Sequence, residues 1–265
     1  MSTDAPRRFG VLGWPVAHSR SPAMHQAAYA ELGLDGCRYQ RLPVPPEAFE
    51  ETVRALPHAG FSGANVTIPH KEAALALADE ATDAARAIGA ANTLTFCADG
   101  TIHADNTDAP GTLAALPAPP EPGSTALVLG AGGSARAVVW ALSHAGARVR
   151  VHNRTRARAE ELAATLGAHV ADTPDEPADL LVNCTSVGLA DPDASPVADA
   201  SRWPVVVDLV YREGGTRLER DARAAGAHTV DGLEILVQQG ALSFHRWTGI
   251  QAPLDAMRRA ARSSS

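Results

Sequence analysis

Residues 125–139 read TALVLGAGGSARAVV. An apolar run of strand length leads directly into Gly130, Ala131, Gly132, Gly133, Ser134 and Ala135, and a stretch of small and branched apolar residues follows. Gly130, Gly132 and Ala135 fit G-x-G-x-x-G/A, set between a strand and a helix. Glycine suits that place because the backbone must turn tightly and let a pyrophosphate reach the free N–H groups of a helix N-terminus. The plain alternative is a glycine-rich turn with no ligand, but the context on both sides favours a dinucleotide site.

Working outward, TALVL, ARVRVHN, GAHVAD, ADLLVNC, VVVDLV and AHTV read as strands, with helical segments between most of them. That alternation predicts parallel βαβ units in a doubly wound, Rossmann-type sheet. A dinucleotide fold specific for NAD usually places Asp or Glu about 20 residues after the glycines, against the ribose 2′-hydroxyl. Here the strand end carries Asn153-Arg154-Thr155, with Arg158 close behind. Guanidinium groups match a 2′-phosphate in a bidentate manner, so NADP(H) is favoured over NAD(H). Arg156 and Arg158 also suit a solvated helix face paired with Glu160 and Glu161.

The 265-residue chain is 45% hydrophobic, 5% aromatic and carries a formal net charge of −7. Such a core is built from Ala, Val and Leu, as in an α/β protein, and scattered arginines on an acidic chain argue against a nucleic-acid partner. No apolar run reaches membrane-spanning or signal-peptide length. Cys37, Cys97 and Cys184 are far apart and form no CxxC pair, which predicts reduced thiols, a cytoplasmic setting and no zinc site. The ten histidines form no HExxH pair, and no metal is expected.

The first half reads as a second α/β domain. The strands are RFGVLG, CRYQRLPV and GANVT, followed by a hairpin of NTLTF and TIHADNTD turning at Asp99-Gly100. Helices are predicted from Ser21-Pro22, as N-cap and first-turn proline, to Gly33; over about Pro46–Leu56; and over about Lys71–Ile88. The first eight residues and the closing RSSS are expected to fray. LPAPPEPGS (116–124) reads as a linker or domain edge. A last long helix begins near Gly232, with Leu233, Leu236, Val237, Gly240, Ala241, Phe244 and Trp247 on its buried face. The expected division is 1–110 plus 238–265, and 111–237.

With no second nucleotide fingerprint, the first domain is left to hold the substrate. Its polar residues gather at strand ends and tight loops: Ser19 and Ser21 in HSRSP, Asn65 and Thr67 in NVTIPHK, Asn92 and Thr93 in GAANT, and Asn106, Thr107 and Asp108 in NTD. Many hydroxyls and amides, with Lys71 and Asp108, suit a small polyhydroxylated anion. Each has a plainer reading. Ser21 suits a helix cap, Asn92 and Asn106 suit turns, and Lys71 alone would ordinarily be a surface charge. Pro69 stops the strand and places Lys71 in a helix's first turn, where the helix dipole disfavours a cation.

Together GWPVAHSRSP (13–22), NVTIPHK (65–71), GAANT (89–93), DNTD (105–108), LGAGGSARA (129–137), NRT (153–155), NCTS (183–186), DLVY (208–211) and DGLEILVQQGALSF (231–244) resemble the shikimate dehydrogenase family. The resemblance spans about residues 9–254. It departs at Ala104, where the family often has glycine, and at Leu189, where methionine is common. It implies NADPH-dependent, reversible reduction of 3-dehydroshikimate to shikimate on the route to chorismate and the aromatic amino acids. Carried over by position, Ser19 and Ser21 would bind the substrate carboxylate. Asn65, Thr67, Asn92, Asp108 and Gln239 would hold the ring hydroxyls, with Tyr211 nearby, and Lys71 and Asp108 would be the catalytic pair. Gly130, Ala131, Gly132, Gly133, Ser134 and Ala135 would hold the pyrophosphate. Asn153, Arg154, Thr155 and Arg158 would hold the adenosine 2′-phosphate, with Thr185, Leu209 and Gly232 also at the cofactor. The family returns its last helix to the substrate domain. The implied partners are small molecules, with no nucleic acid or membrane, and the chain acts as a monomer or homodimer.

Overall fold

The computed structural model describes residues 6–263. The chain divides into two compact units, residues 1–107 with 236–265, and residues 108–235. The first unit contains a six-stranded mixed sheet in the order β2-β1-β3-β5-β6-β4. Its strands are β1 (Arg7–Gly13), β2 (Cys37–Pro43), β3 (Phe61–Val66), β4 (Glu80–Ala81), β5 (Thr93–Phe96) and β6 (Ile102–Asp105). β1 runs parallel to both β2 and β3, whereas β5 runs antiparallel to β3 and β6. The β5–β6 hairpin turns through Gly100 at φ +91°, a left-handed conformation that favours glycine.

Three helices in this unit lie where the residue pattern puts them. α1 (Ser21–Glu31) closes through Leu32 and Gly33, the latter at φ +66°, and α2 (Phe49–Ala55) follows a short 3₁₀ turn at Pro46–Ala48. α3 (Lys71–Leu77) begins directly after Thr67-Ile68-Pro69-His70. Pro69 has no N–H for a further ladder bond, so the strand ends there and the next turn winds into helix.

The expected helix over 71–88 is in fact broken in two. The Asp79 amide donates to the Ile102 carbonyl at 3.0 Å, and its carboxylate accepts from the Ile102 amide at 2.8 Å. Glu80 and Ala81 then pair with His103 and Ala104 as an edge strand. Thr82 restarts the chain as the cap of α4 (Asp83–Ile88), accepting from the Ala85 amide at 3.2 Å. Sheet pairing overrides a helix-permissive sequence here. The expected fraying also stops short of Arg7 and Arg8, which pair in register with Cys37 and Arg38, while Arg7 donates to the Trp247 carbonyl. At the other end Arg262 closes a helix, α10 (Leu254–Arg262), and Ser263 is its cap; Met1–Ala5 and Ser264–Ser265 lie outside the described residues.

The second unit starts with α5 (Asp108–Ala115), which packs on α6 (Gly133–His144). The Pro-rich stretch 116–124 therefore lies inside this unit, between α5 and β7 (Thr125–Leu129), not between the two. β7 is followed by β8 (Arg148–His152), β9 (His169–Val170), β10 (Leu180–Asn183), β11 (Val205–Asp208) and β12 (His228–Val230). All pair in parallel, in the order β12-β11-β10-β7-β8-β9. α7 (Arg156–Leu166) and α8 (Arg217–Ala224) complete the alternation. The order reverses direction between β7 and β10, and that is the place where open α/β sheets leave a crevice at their carboxyl ends. Leu127, Val128, Leu129, Leu181 and Val182 are almost wholly buried in the sheet, so the two strands that flank the crevice are fixed by the core.

α9 (Gly232–Thr248) begins in the second unit and continues in the first from Leu236. Ile235, Val237, Phe244 and Trp247 are buried. Within the first unit Trp247 Nε1 donates to the Leu94 carbonyl at 3.0 Å. A Cβ on Gly63 would meet that indole and the Leu94 carbonyl, so glycine lets the helix approach β3 closely.

Candidate active site

In the first unit Asn65, Asn92, Thr93, Thr107 and Gln239 form one buried network. Asn65, on β3, is only 5% exposed, and its amide is fully engaged. Its Nδ2 donates to the Asn92 carbonyl and to Thr93 Oγ1, both at 3.2 Å. Its Oδ1 accepts from the Tyr39 hydroxyl at 2.8 Å and from Ser243 Oγ at 3.4 Å. Two donors and two acceptor positions exhaust an amide side chain, so a ring hydroxyl could meet Asn65 only by displacing one of these partners. Asn92 is next in the chain of bonds, with Nδ2 donating to Thr107 Oγ1 at 3.0 Å and to Gln239 Oε1 at 3.1 Å. Its Oδ1 accepts from the Thr107 amide at 2.7 Å. Gln239 is buried, and its own amide donates to the Leu236 carbonyl at 2.7 Å.

Lys71 is 8% exposed and is the first residue of α3. Its carbonyl accepts from the Ala91 amide at 2.8 Å, which ties its main chain to the residue before Asn92. His70, just before it, stacks on Phe49 at 4.3 Å between ring centres and bonds the Val44 carbonyl at 2.7 Å. Thr67 lies one residue past β3, half-buried, with its amide bonded to the Leu12 carbonyl. Both the Trp14–Pro15 and Ile68–Pro69 peptides are cis.

The HSRSP loop differs from its expected local role. α1 starts at Ser21 itself, with Arg20 in the cap position, and no side chain caps the helix. The Ser21 side chain instead lies near the Tyr39 phenol, where it opposes the rise that burial gives that phenol, and the Ser21 amide donates to Ser19 Oγ at 3.3 Å. Arg41 fixes the loop by donating from Nε and Nη2 to the Ser19 carbonyl at 3.1 and 2.8 Å.

Asp108 and Tyr211 belong to the second unit. Asp108 is half-buried at the start of α5, covalently next to Thr107, and its carbonyl accepts from Thr112 Oγ1 at 2.8 Å. Tyr211 is half-buried in the loop after β11.

The glycine loop joins β7 to α6 at the reversal point of the sheet. Gly130 has φ +108°, and a Cβ there would meet the Cys184 backbone at 3.1 Å. Gly132 is the cap residue of α6, and a Cβ on it would point into open space. Ala135 is fully buried, where only a small residue lets α6 sit tightly on the strands. Ala131, Gly133 and Ser134 lie half-buried between these positions. No side chain caps the 12-residue helix, whose first amides suit an anionic group.

Beside this loop, β8 ends at His152. Asn153 Nδ2 donates to the Thr155 carbonyl at 2.9 Å, and Thr155 precedes α7. Arg156 is paired with Glu160 at 2.9 Å and Asp172 at 3.1 Å. Arg154 and Arg158 are exposed and, among the described residues, have no ion-pair partner. The glycine cradle, the uncapped helix and these two guanidinium groups fit a dinucleotide that carries a 2′-phosphate.

A second buried network holds the remaining cofactor candidates. Asn183 Oδ1 accepts from the amide and hydroxyl of Thr185 at 3.0 and 2.7 Å, while Asn183 Nδ2 donates to Asp208 Oδ1 at 2.9 Å. Asp208 Oδ2 accepts from Thr216 Oγ1 at 2.7 Å, and the Leu209 amide donates to the Asn183 carbonyl at 3.0 Å. Gly232 presses on the Leu209 backbone, leaving no space for a Cβ. Burial raises the Asp208 carboxyl to about 6 against the opposing bonds from Thr216, Val210 and Asn183.

Thr93 and Thr107, among the polar candidates of the sequence, complete the first network together with Tyr39 and Ser243, which the sequence reading missed. Thr93 and Thr107 stood inside quoted motifs, and Ser243 is four residues beyond Gln239 on the same helix face. Tyr39 carried no signal except its place in an alternating strand. Among the described residues no group of three or more His, Cys, Asp or Glu side chains is placed to hold a metal ion. No helix among them is long and apolar enough to cross a membrane.

Residues 11–94 match the family described as "Shikimate dehydrogenase substrate binding domain". Residues 115–187 match "Shikimate / quinate 5-dehydrogenase", and 232–262 match "Shikimate 5'-dehydrogenase C-terminal domain". The shikimate dehydrogenase (NADP(+)) of Paracoccus denitrificans is 48% identical over 261 residues, covering 93% of this chain and 92% of the relative. The chain belongs to the shikimate dehydrogenase family. The enzyme of the same name from Methylobacterium radiotolerans is 50% identical over 270 residues, 94% of this chain and 93% of its own. The crystal structure of shikimate 5-dehydrogenase from Thermus thermophilus, in complex with NADP(H) and shikimate, superposes with a TM-score of 0.89 at 47% identity. That match covers 97% of this chain and 98% of the other. The shikimate dehydrogenase fold thus accounts for both sheets.

Proposed function

We propose that the protein reduces 3-dehydroshikimate to shikimate with NADPH, reversibly, in the route to chorismate and the aromatic amino acids. The observation that carries this reading is Lys71, a buried lysine at the first position of a helix, bonded through its main chain beside the Asn92 network. A buried cation beside a helix's positive end gains nothing from the helix. A substrate oxygen that becomes negative gains from a cation held there.

NADPH, when bound, supplies the hydride for the ring carbonyl. Gly130 to Ala135 hold its pyrophosphate, Asn153, Arg154, Thr155 and Arg158 its 2′-phosphate, and Thr185, Leu209 and Gly232 the rest of the cofactor. In the first unit Ser19 and Ser21 bind the substrate carboxylate. Asn65, Thr67, Asn92 and Gln239, with Asp108 and Tyr211, align the ring. As charge grows on the carbonyl oxygen, the Lys71 ammonium stabilises it and delivers the proton, and Asp108 orients the lysine or the substrate hydroxyl. The first unit is the substrate domain and the second the NADP domain. Cys37, Cys97 and Cys184 are all unbridged, which supports a cytoplasmic setting. The partners are small molecules, with no nucleic acid, and the chain works as a monomer or homodimer.

Lys71→Ala tests the assignment. General acid catalysis contributes about 10²–10⁴-fold, so kcat should fall within that range while the variant still binds shikimate. Turnover within about tenfold of wild type would remove Lys71 as proton donor.

A further inference from the structure

Tyr39 lies outside the substrate and catalytic residues proposed above, yet it lies beside two of them. Its ring stands on β2, 6% exposed. Its hydroxyl donates to Asn65 Oδ1 at 2.8 Å, and the Ser21 side chain lies close enough to the same phenol to favour its ionised form. Ser21 belongs to the loop assigned to the substrate carboxylate, and Asn65 to the residues assigned to the ring hydroxyls. Asn65 is bonded at its functional end and Ser21 lies beside the same oxygen, so the phenol sets the distance between two substrate-facing groups.

The ring itself is held from behind. His25 lies flat on it, with ring centres 4.2 Å apart and planes 4° from parallel. His25 is fully buried, and neither of its nitrogens has a hydrogen-bond partner among the described residues. Burial lowers it to about 3, so it is a neutral plate at any working pH. Phe244 and Trp247 lie 6.2 and 5.9 Å from the His25 ring centre. Tyr39 therefore has little freedom to turn, and its hydroxyl serves as a fixed post.

We infer that Tyr39 is a positioning residue for the substrate: its phenol locks Ser21 and Asn65 into one geometry, so that carboxylate and ring hydroxyls are recognised together. The inference rests on the shikimate reading above. Removing the phenol oxygen leaves Asn65 Oδ1 without its shortest partner and Ser21 without its polar neighbour, while the stacked ring remains. An amide freed on one side can turn, and the polar network then fits the substrate less well.

The experiment compares wild type, Tyr39→Phe, Ser21→Ala and the double variant in NADP-dependent oxidation of shikimate. Tyr39→Phe should raise KM for shikimate about tenfold, change kcat by less than about threefold and leave KM for NADP unaltered. In the double variant the two effects on KM should fall short of multiplying, because both act through one phenol. A purely structural loss would lower kcat and weaken both substrates together. Unchanged KM for shikimate in Tyr39→Phe, or full multiplication with Ser21→Ala, overturns the inference. So does a Tyr39→Phe protein that circular dichroism shows to be unfolded, since Tyr39 would then serve stability. A wild type inactive on shikimate overturns both this inference and the functional reading; an active wild type with an unaltered variant overturns the inference alone.

Discussion

At the residue scale, the arrangement turns on side chains placed where local structure gives them no advantage. Lys71 begins a helix whose dipole repels it, and Arg154 stands exposed at a strand end without a carboxylate beside it. Arg156, two residues on, is an ordinary solvated charge, satisfied by Glu160 and Asp172. That contrast between neighbours is what supports Arg154, and not Arg156, as the arginine proposed for the 2′-phosphate. Arg154→Ala should therefore weaken NADP selectively. A hydrogen bond to a charged group is worth about 1.5–3 kcal/mol, so KM for NADP should rise about 10- to 100-fold. KM for NAD, which lacks the 2′-phosphate, should change by less than about threefold. An equal rise for both cofactors would show that Arg154 supports the loop instead. Residue types and order in the quoted motifs made most candidate positions legible. They did not show that Asn65 is saturated by Tyr39, Thr93, Asn92 and Ser243, because those bonds join separate segments of the chain.

At the element scale, the strands of both sheets other than β4 were readable from apolar runs bounded by Gly, Pro and Asp. The glycine loop was readable because it stands between a strand and a helix, and Gly130 takes φ +108°, a conformation that favours glycine. The break between α3 and α4 was not readable, since AALALADEATDAARAI contains good helix formers throughout and only pairing with β6 ends the helix. The Ser21 cap also failed, since the helix starts at Ser21 itself with Arg20 in the cap position. α8 shows a cap that does form. Thr216 Oγ1 accepts from the Glu219 amide, and Glu219 Oε2 accepts from the Thr216 amide, both at 3.2 Å. Glu219 Oε1 is buried without a partner among the described residues. Burial, and then the Asp208 charge, raise Glu219 from 4.5 to about 7. The folded chain thus keeps a proton that the unfolded chain releases. This contribution is complete below the unfolded value near 4.5 and is lost as pH rises through about 7. Asp208, raised to about 6, acts in the same direction. Glu219→Gln should therefore reduce the fall in Tm between pH 5 and 8, each kcal/mol recovered appearing as about 2–4 °C. Equal falls in Tm for variant and wild type would show that Glu219 titrates normally.

At the scale of the whole molecule, the two sheets differ in kind. One is mixed and holds a buried lattice of amides and hydroxyls; the other is fully parallel, with a glycine loop at its reversal point. The division itself was visible in the sequence, as one nucleotide fingerprint and one set of polar strand ends. Its position was less so. The Pro-rich 116–124 stretch draws attention as a linker, whereas the unit boundary falls at Thr107–Asp108, inside a motif, where Thr107 bonds Asn92 and the next residue begins α5. Proline content reports a bend in the chain, not where contacts stop crossing. The chain is an NADP-linked enzyme of shikimate, and Lys71 is proposed for its ring-carbonyl chemistry. The most direct test is NADPH formation by the purified wild-type protein with shikimate, beside quinate, at matched concentrations of substrate and NADP. The account predicts NADPH formation that depends on shikimate, with a kcat/KM above that for quinate. Formation of NADPH with neither substrate, or faster formation with quinate, would contradict it.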